Sequence, residues 1–176
     1  MKEIEIKILN ICEAEIKEKL STLGVTFAGE ERQVNQIFGD GTNGLLVRLR
    51  TMGNVTTFTT KTPVESSEYK IREELESRIE DPETFINQLE MLGFQRSYYL
   101  EKNRATYIYK GTKICIDEYP DIPPLLEIEG EKEVIKEVVI ALGYKMKDTC
   151  TMNCRDIIKM YRPGVKKIRF GCSKNL

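Results

Sequence analysis

Seven segments of this chain alternate with period two, and in each the neighbour of an apolar side chain is charged or carries a hydroxyl. Over Met1–Ile8, Glu3, Glu5 and Lys7 oppose Ile4, Ile6 and Ile8; over Leu45–Arg50, Arg48 and Arg50 oppose Val47 and Leu49. Thr57, Thr59 and Lys61 share a face of Val55–Lys61, and from Ile71 onward Arg72, Glu74 and Glu76 oppose Ile71 and Leu75. Lys102 lies with Arg104, Asp117 opposes Ile116, and Glu127 and Glu129 oppose Leu126 and Ile128. Side chains that recur every second residue share one face of a β-strand, so the pattern predicts strands with one apolar and one ionised face.

The ionised faces collect seven bases (Lys7, Arg48, Arg50, Lys61, Arg72, Lys102, Arg104) and seven acids (Glu3, Glu5, Glu74, Glu76, Asp117, Glu127, Glu129). Two architectures satisfy this pattern. An open antiparallel sheet would leave the charged face in water and cover the apolar face with helices. A barrel would turn the charged faces inward and pack helices on its apolar exterior. Four helices are predicted, at Cys12–Leu23, Pro82–Leu92, Glu131–Leu142 and Asn153–Tyr161. The second begins with Asp81 as N-cap and Pro82 at its first position. Three helices end in Leu-Gly followed by Val25, Phe94 or Tyr144, a recurrent stop. Either way the fold class is α+β, as one domain over residues 1–164 with a basic C-terminal tail at 165–176.

Composition removes whole function classes. There is no histidine, so Ser-His and Cys-His nucleophiles and His-ligated zinc are excluded. Lys plus Arg number 27 against 28 Asp plus Glu, which argues against bulk nucleic-acid binding. No run approaches the roughly 20 apolar residues of a membrane span, and MKEIEIKILN lacks an apolar signal core, so a cytoplasmic protein is expected. The five cysteines (Cys12, Cys115, Cys150, Cys154, Cys172) are scattered and read as free thiols.

The remaining charge pattern suits one chemistry. Glu3-x-Glu5 and Glu127-x-Glu129 each place two carboxylates on one strand face, an oxygen-rich set for Mg²⁺ or Mn²⁺. The arginines and lysines supply forked and point-charge donors for phosphate oxygens. A triphosphate with about four negative charges and two divalent ions with about four positive ones would leave such a site near neutrality. Phosphoryl transfer needs mainly positioning and charge stabilisation of this kind.

Glu3-x-Glu5-x-Lys7 resembles the ExExK signature of the CYTH domain, the triphosphate tunnel metalloenzyme superfamily. The order that follows is also similar: Gln33-x-Asn35-x-x-Phe38, Arg48-x-Arg50, Thr59-Thr60-Lys61-x-Pro63, Arg72-x-Glu74-x-Glu76, Lys102-x-Arg104, Asp117 and Glu127-x-Glu129. The resemblance, over about Met1 to Met160, implies an eight-stranded antiparallel closed barrel, a triphosphate tunnel open toward both ends, with a charged interior and helices outside. It implies Glu3, Glu5, Glu127 and Glu129 as metal ligands or their partners, and Asp117 at a second metal. Lys7, Arg48, Arg50, Lys61, Arg72, Lys102 and Arg104 would bind the triphosphate, with Glu5, Lys7 and Lys61 carrying the catalysis. For Arg72, Glu74 and Glu76 internal ion pairing is an equal alternative. Two departures stand out: Asn153-Cys154 where family members usually show Ser-Tyr, and a tail after Pro163 whose bases read as solvated.

The superfamily's reactions separate poorly at this level. A metal-dependent triphosphatase, acting on tripolyphosphate or a nucleoside triphosphate, is the first expectation. A class IV adenylate cyclase, making cyclic AMP and pyrophosphate from ATP, is the alternative, weakened by the missing His-Phe pair before Glu3. A thiamine triphosphatase is less favoured, because the chain has no Trp to stack on the thiamine rings, although Tyr or Phe could substitute; a non-catalytic polyphosphate or nucleotide sensor completes the set. A small-molecule triphosphate is the expected partner; a homodimer is compatible with the sequence.

Overall fold

The structure, a computed structural model, describes residues 2–39, 44–66 and 68–171; Cys172 and the end of the tail lie outside them. The alternating segments form β1 (Lys2–Ile8), β3 (Leu46–Met52), β4 (Val55–Val64), β5 (Lys70–Ile79), β7 (Thr112–Glu118) and β8 (Leu125–Glu129). The two longest strands are β2 (Thr26–Phe38) and β6 (Arg96–Tyr109). Hydrogen bonding runs β2-β3-β4-β5-β1-β8-β7-β6, all antiparallel, and β6 pairs back onto β2. The sheet is therefore a closed eight-stranded barrel, and the open-sheet alternative is set aside.

Closure decides which face points where. The outer faces of β1, β6, β7 and β8 present Ile4, Ile6, Ile8, Ala105, Ile114, Ile116, Leu126 and Ile128 to two helices. These are α1 (Glu13–Thr22), through Ile16 and Leu20, and α3 (Lys132–Ala141), through Ile135, Val138 and Val139. Each fully buried branched side chain there contributes about 2 kcal/mol. A third helix, α2 (Pro82–Met91), lays Phe85, Ile86 and Leu89 against Val47, Leu49, Phe58 and Ile79. Its Asp81 cap accepts from the Thr84 amide at 3.1 Å, as the sequence predicts. The three Leu-Gly stops place Gly24, Gly93 and Gly143 at φ of 72°, 90° and 84°, the left-handed geometry that ends a helix.

At one barrel end the inward positions turn apolar: Ile37, Leu46 and Leu100. There α4 (Cys154–Tyr161) packs Ile157 and Ile158 into the cluster that holds Ile37, Tyr98 and Leu100. Asn153 caps it, accepting from the Asp156 amide at 3.1 Å. The tunnel is covered by α4 at this end, which corrects the implied opening toward both ends: apolar lining residues need an apolar partner.

The described bases of the tail, Lys166, Lys167 and Arg169, are exposed as expected, but the segment around them is ordered against the barrel. Residues Lys167–Ile168 form β9, which pairs in parallel with Tyr99 and Leu100 on the edge of β6 beyond the reach of β7. Ile168 is buried in the α4 cluster. The buried Glu101 accepts from Arg32 Nη2 at 2.5 Å, Arg169 Nε at 3.2 Å and the Phe170 amide at 3.0 Å. A buried carboxylate needs such partners, and the tail supplies two of them. Among the described residues no helix is long and apolar enough to cross a membrane.

Candidate active site

The barrel encloses a cavity of about 690 Å³, within the range of about 300–1,000 Å³ typical of small-ligand sites. Its lining among the described residues holds ten bases and seven acids. The strand registers place them. Glu5 stands opposite Glu129 on one side and Lys70 on the other, Glu3 opposite Arg72, and Lys7 opposite Glu127. Further round, Lys61 faces Glu74, Arg48 faces Thr59, and Arg50 faces Asn35.

Four of the seven acids lie on β1 and β8, and each of these meets a lysine. Lys7 Nζ bridges Glu5 Oε1 at 2.6 Å and Glu127 Oε2 at 3.0 Å. Lys70 Nζ donates to the same Glu5 oxygen. Lys61 Nζ bridges Glu3 Oε1 at 2.5 Å and Glu74 Oε2 at 3.0 Å. Glu3 Oε2 is buried and has no partner. Burial and the neighbouring Glu5 charge raise the Glu3 pKa. Burial would do the same to Glu5, but Lys7 and Lys70 prevail and hold it down at about 2. Lys7 is raised: Glu127 and Glu5 outweigh its burial.

Four of the ten bases lie on β3 and β6. Arg104 grips Asp117 with two bonds of 2.6 Å and reaches Glu127 Oε1 at 2.8 Å; Lys102 Nζ donates to Asp117 Oδ2 at 2.6 Å. Burial, then the Arg104 charge, lowers the Lys102 pKa to about 8. Arg48 donates to Thr59 Oγ1 at 3.2 Å and Arg50 to Asn35 Oδ1 at 3.2 Å. Burial and the neighbouring Arg50 lower Arg48 to about 10. The buried Nε atoms of Arg48 and Arg72 have no partner. Unsatisfied donors and an unsatisfied carboxylate oxygen on one cavity wall mark the polar surface of an anion and cation site.

Of the fourteen residues singled out in the sequence, thirteen line the cavity. Asp117 does not: it is 1% exposed, with its oxygens taken by Lys102 and Arg104. Glu74 pairs with Lys61, and Glu76 Oε2 accepts from Thr59 Oγ1 at 2.8 Å. The cavity adds Lys70, Lys113, Arg155 and Glu31, which sequence reasoning missed. Lys70 precedes Arg72 by two, so strand parity alone could have found it. Arg155 sits on α4, and nothing local signals that it reaches the barrel.

The donor set is oxygen-only and fits a hard divalent cation. As they stand, no three carboxyl groups among the described residues converge to hold one. The lysines are what they have drawn in, and Glu3 Oε2 is the acceptor left over.

The comparisons agree on the fold. The PH1012 protein of Pyrococcus horikoshii superposes with a TM-score of 0.80 at 26% identity, over 88% of this chain and 98% of that one. A candidate adenylate cyclase of Vibrio parahaemolyticus gives 0.78 at 12% identity, over 89% and 97%. HpAC1 of Hippeastrum, a candidate adenylyl cyclase with a dominant triphosphatase activity, gives 0.64 at 17%, over 90% and 95%. No curated protein matches the chain. The CYTH domain model matches residues 1–147, and with the closed barrel and its ionised interior in place, the chain belongs to the CYTH domain family.

Proposed function

We propose that this protein is a divalent-metal-dependent enzyme that hydrolyses tripolyphosphate or a nucleoside triphosphate within its barrel. The observation that carries the reading is the cavity's charge: ten bases against seven acids among the described lining residues, with four of the carboxylates on β1 and β8 and three of the arginines on β3 and β6. An excess of three positive charges suits a polyanion, and the carboxylate group suits its counter-ion. The activity described for the Hippeastrum protein is consistent with it.

In this reading Glu3, Glu5 and Glu129 hold Mg²⁺ or Mn²⁺, with Glu127 shared between them and the bases. The ion, when bound, supplies charge neutralisation at the phosphate oxygens. Arg48, Arg50 and Arg72 bind the chain of phosphates, the two buried Nε groups finding acceptors there. Lys7 and Lys61 bridge between carboxylate and phosphate and hold both in register for the chemistry. Asp117 holds the Lys102 and Arg104 side chains through its two oxygens, and in this reading it serves as their orienting group.

The test is product analysis with tripolyphosphate and with ATP, each with Mg²⁺ and Mn²⁺. Orthophosphate with ADP or pyrophosphate supports hydrolysis; cyclic AMP with pyrophosphate would replace it with the cyclase. Glu5→Gln should lower turnover by at least about 10³-fold while the protein stays folded. Unchanged turnover in that variant would remove Glu5 from the site.

A further inference from the structure

Glu5 is held by two ammonium groups that are not equivalent. Lys7 bridges Glu5 and Glu127, so it keeps a partner whenever Glu5 is taken up by another cation. Lys70 has no such second partner: Glu5 is its one side-chain hydrogen-bond partner among the described residues. It comes from β5 at the register position directly across from Glu5, and its side chain is only 16% exposed. The charges beside it, Lys7 and Arg72, repel it. Its ammonium therefore lies where a cation bound by Glu5 would lie, and Glu5 is the carboxylate that holds it there.

We propose that Lys70 is a specificity-determining residue for metal entry. It occupies Glu5 as a built-in counter-ion and yields that carboxylate to a divalent cation only when a polyphosphate is present to receive the ammonium. This rests on the reading of Glu5 as a metal ligand. Moved from Glu5 to a phosphate oxygen, Lys70 exchanges one charge-assisted hydrogen bond for another. Moved away with no anion present, it leaves a buried charge unpaired, which is strongly unfavourable. The flexible four-carbon stem of lysine permits the swing. The cavity as a whole acts in the same sense, since its positive excess repels a bare cation and a triphosphate reverses that sign. Metal and polyphosphate then bind with positive coupling, each strengthening the other by the same factor.

The experiment is Mn²⁺ uptake by the metal-free protein, read from the paramagnetic resonance signal of free Mn²⁺, with and without imidotriphosphate as a non-hydrolysable probe. Protein-free samples at the same probe concentration correct for Mn²⁺ held in solution. Wild-type protein should take up Mn²⁺ weakly alone and more tightly with imidotriphosphate. Lys70→Met and Lys70→Gln should bind Mn²⁺ about ten- to a hundredfold more tightly without the anion, a scale typical of partners of metal ligands. Arg155→Gln removes a base from the same cavity away from Glu5 and should change Mn²⁺ affinity much less. Equal affinity in wild type with and without imidotriphosphate overturns the proposal, and this arm needs no variant to fold. An Arg155→Gln effect as large as that of Lys70→Met overturns it too, by reducing Lys70 to bulk charge. If Glu5→Gln abolishes Mn²⁺ uptake while both Lys70 variants behave as wild type, the role of Lys70 fails and the metal site stands. If Glu5→Gln leaves uptake unchanged, the site reading fails and the proposal with it.

Discussion

At the scale of single residues the cavity is a set of matched and mismatched charges, and the mismatches are informative. Lys102 is buried beside Arg104, which brings its pKa down to about 8 from an ordinary 10.5. Below pH 8 it carries the charge a phosphate needs; above it that charge is lost. The KM for tripolyphosphate should therefore climb as pH rises through about 8, and Lys102→Arg should flatten the profile, because guanidinium stays protonated there. A profile unchanged by Lys102→Arg would assign the titration to another group. The stability contribution has a sign of its own. Between about 8 and 10.5 the unfolded chain binds the proton and the folded one does not, so this group's contribution to stability rises with pH across that window. Arg50 is anchored by Asn35 alone among the hydrogen bonds of the described residues. Arg50→Ala should raise KM about tenfold or more with little change in kcat, since it removes a phosphate contact and no carboxylate. Equal losses in kcat and kcat/KM would place Arg50 in the transition state instead.

At the scale of elements, alternation was legible and its interruptions were not. The i, i+2 pattern located β1, β3, β4, β5 and β8 because each strand has one face on helices and one on the cavity. Leu75 shows the limit: it alternates with Glu74 and Glu76 in the middle of β5 yet is 74% exposed and joins none of the clusters that the helices cover. The short β9 carried no readable periodicity; its place depends on the edge of β6 that β7 leaves open and on the buried Glu101 waiting there. Close approach is a further element-scale constraint. A Cβ at Gly130, just past β8, would come within 2.2 Å of Thr112 Oγ1 and 3.0 Å of the Thr112 backbone. Gly130→Ala should destabilise by about 1–3 kcal/mol through overpacking, which in a chain of this size lowers Tm by roughly 2–10 °C. An unchanged Tm would show that β7 and β8 separate at that end at no cost.

At the scale of the whole molecule, an ionised interior works against the fold that contains it. Among the described residues the cavity lining carries more bases than acids, and an anion that enters relieves their mutual repulsion. Imidotriphosphate at a hundred times its Kd should stabilise the folded state by about 2.7 kcal/mol, a rise in Tm of about 5–10 °C for this size of chain. High salt should shrink that shift by screening the site's mouth. A shift insensitive to Arg50→Ala and Lys102→Met together would locate the anion elsewhere. The sequence by itself determined the strand faces, the helix stops and nearly every ionised side chain of the candidate site, because period and parity are local properties of the backbone. Only the tertiary structure decided that the sheet closes and that α4 covers one end. It alone showed that Asp117 is spent on Lys102 and Arg104, and that Lys70 shares Glu5 with Lys7. Those facts depend on which strand lies beside which, and residues 65 positions apart meet at Glu5 through register that no local pattern encodes.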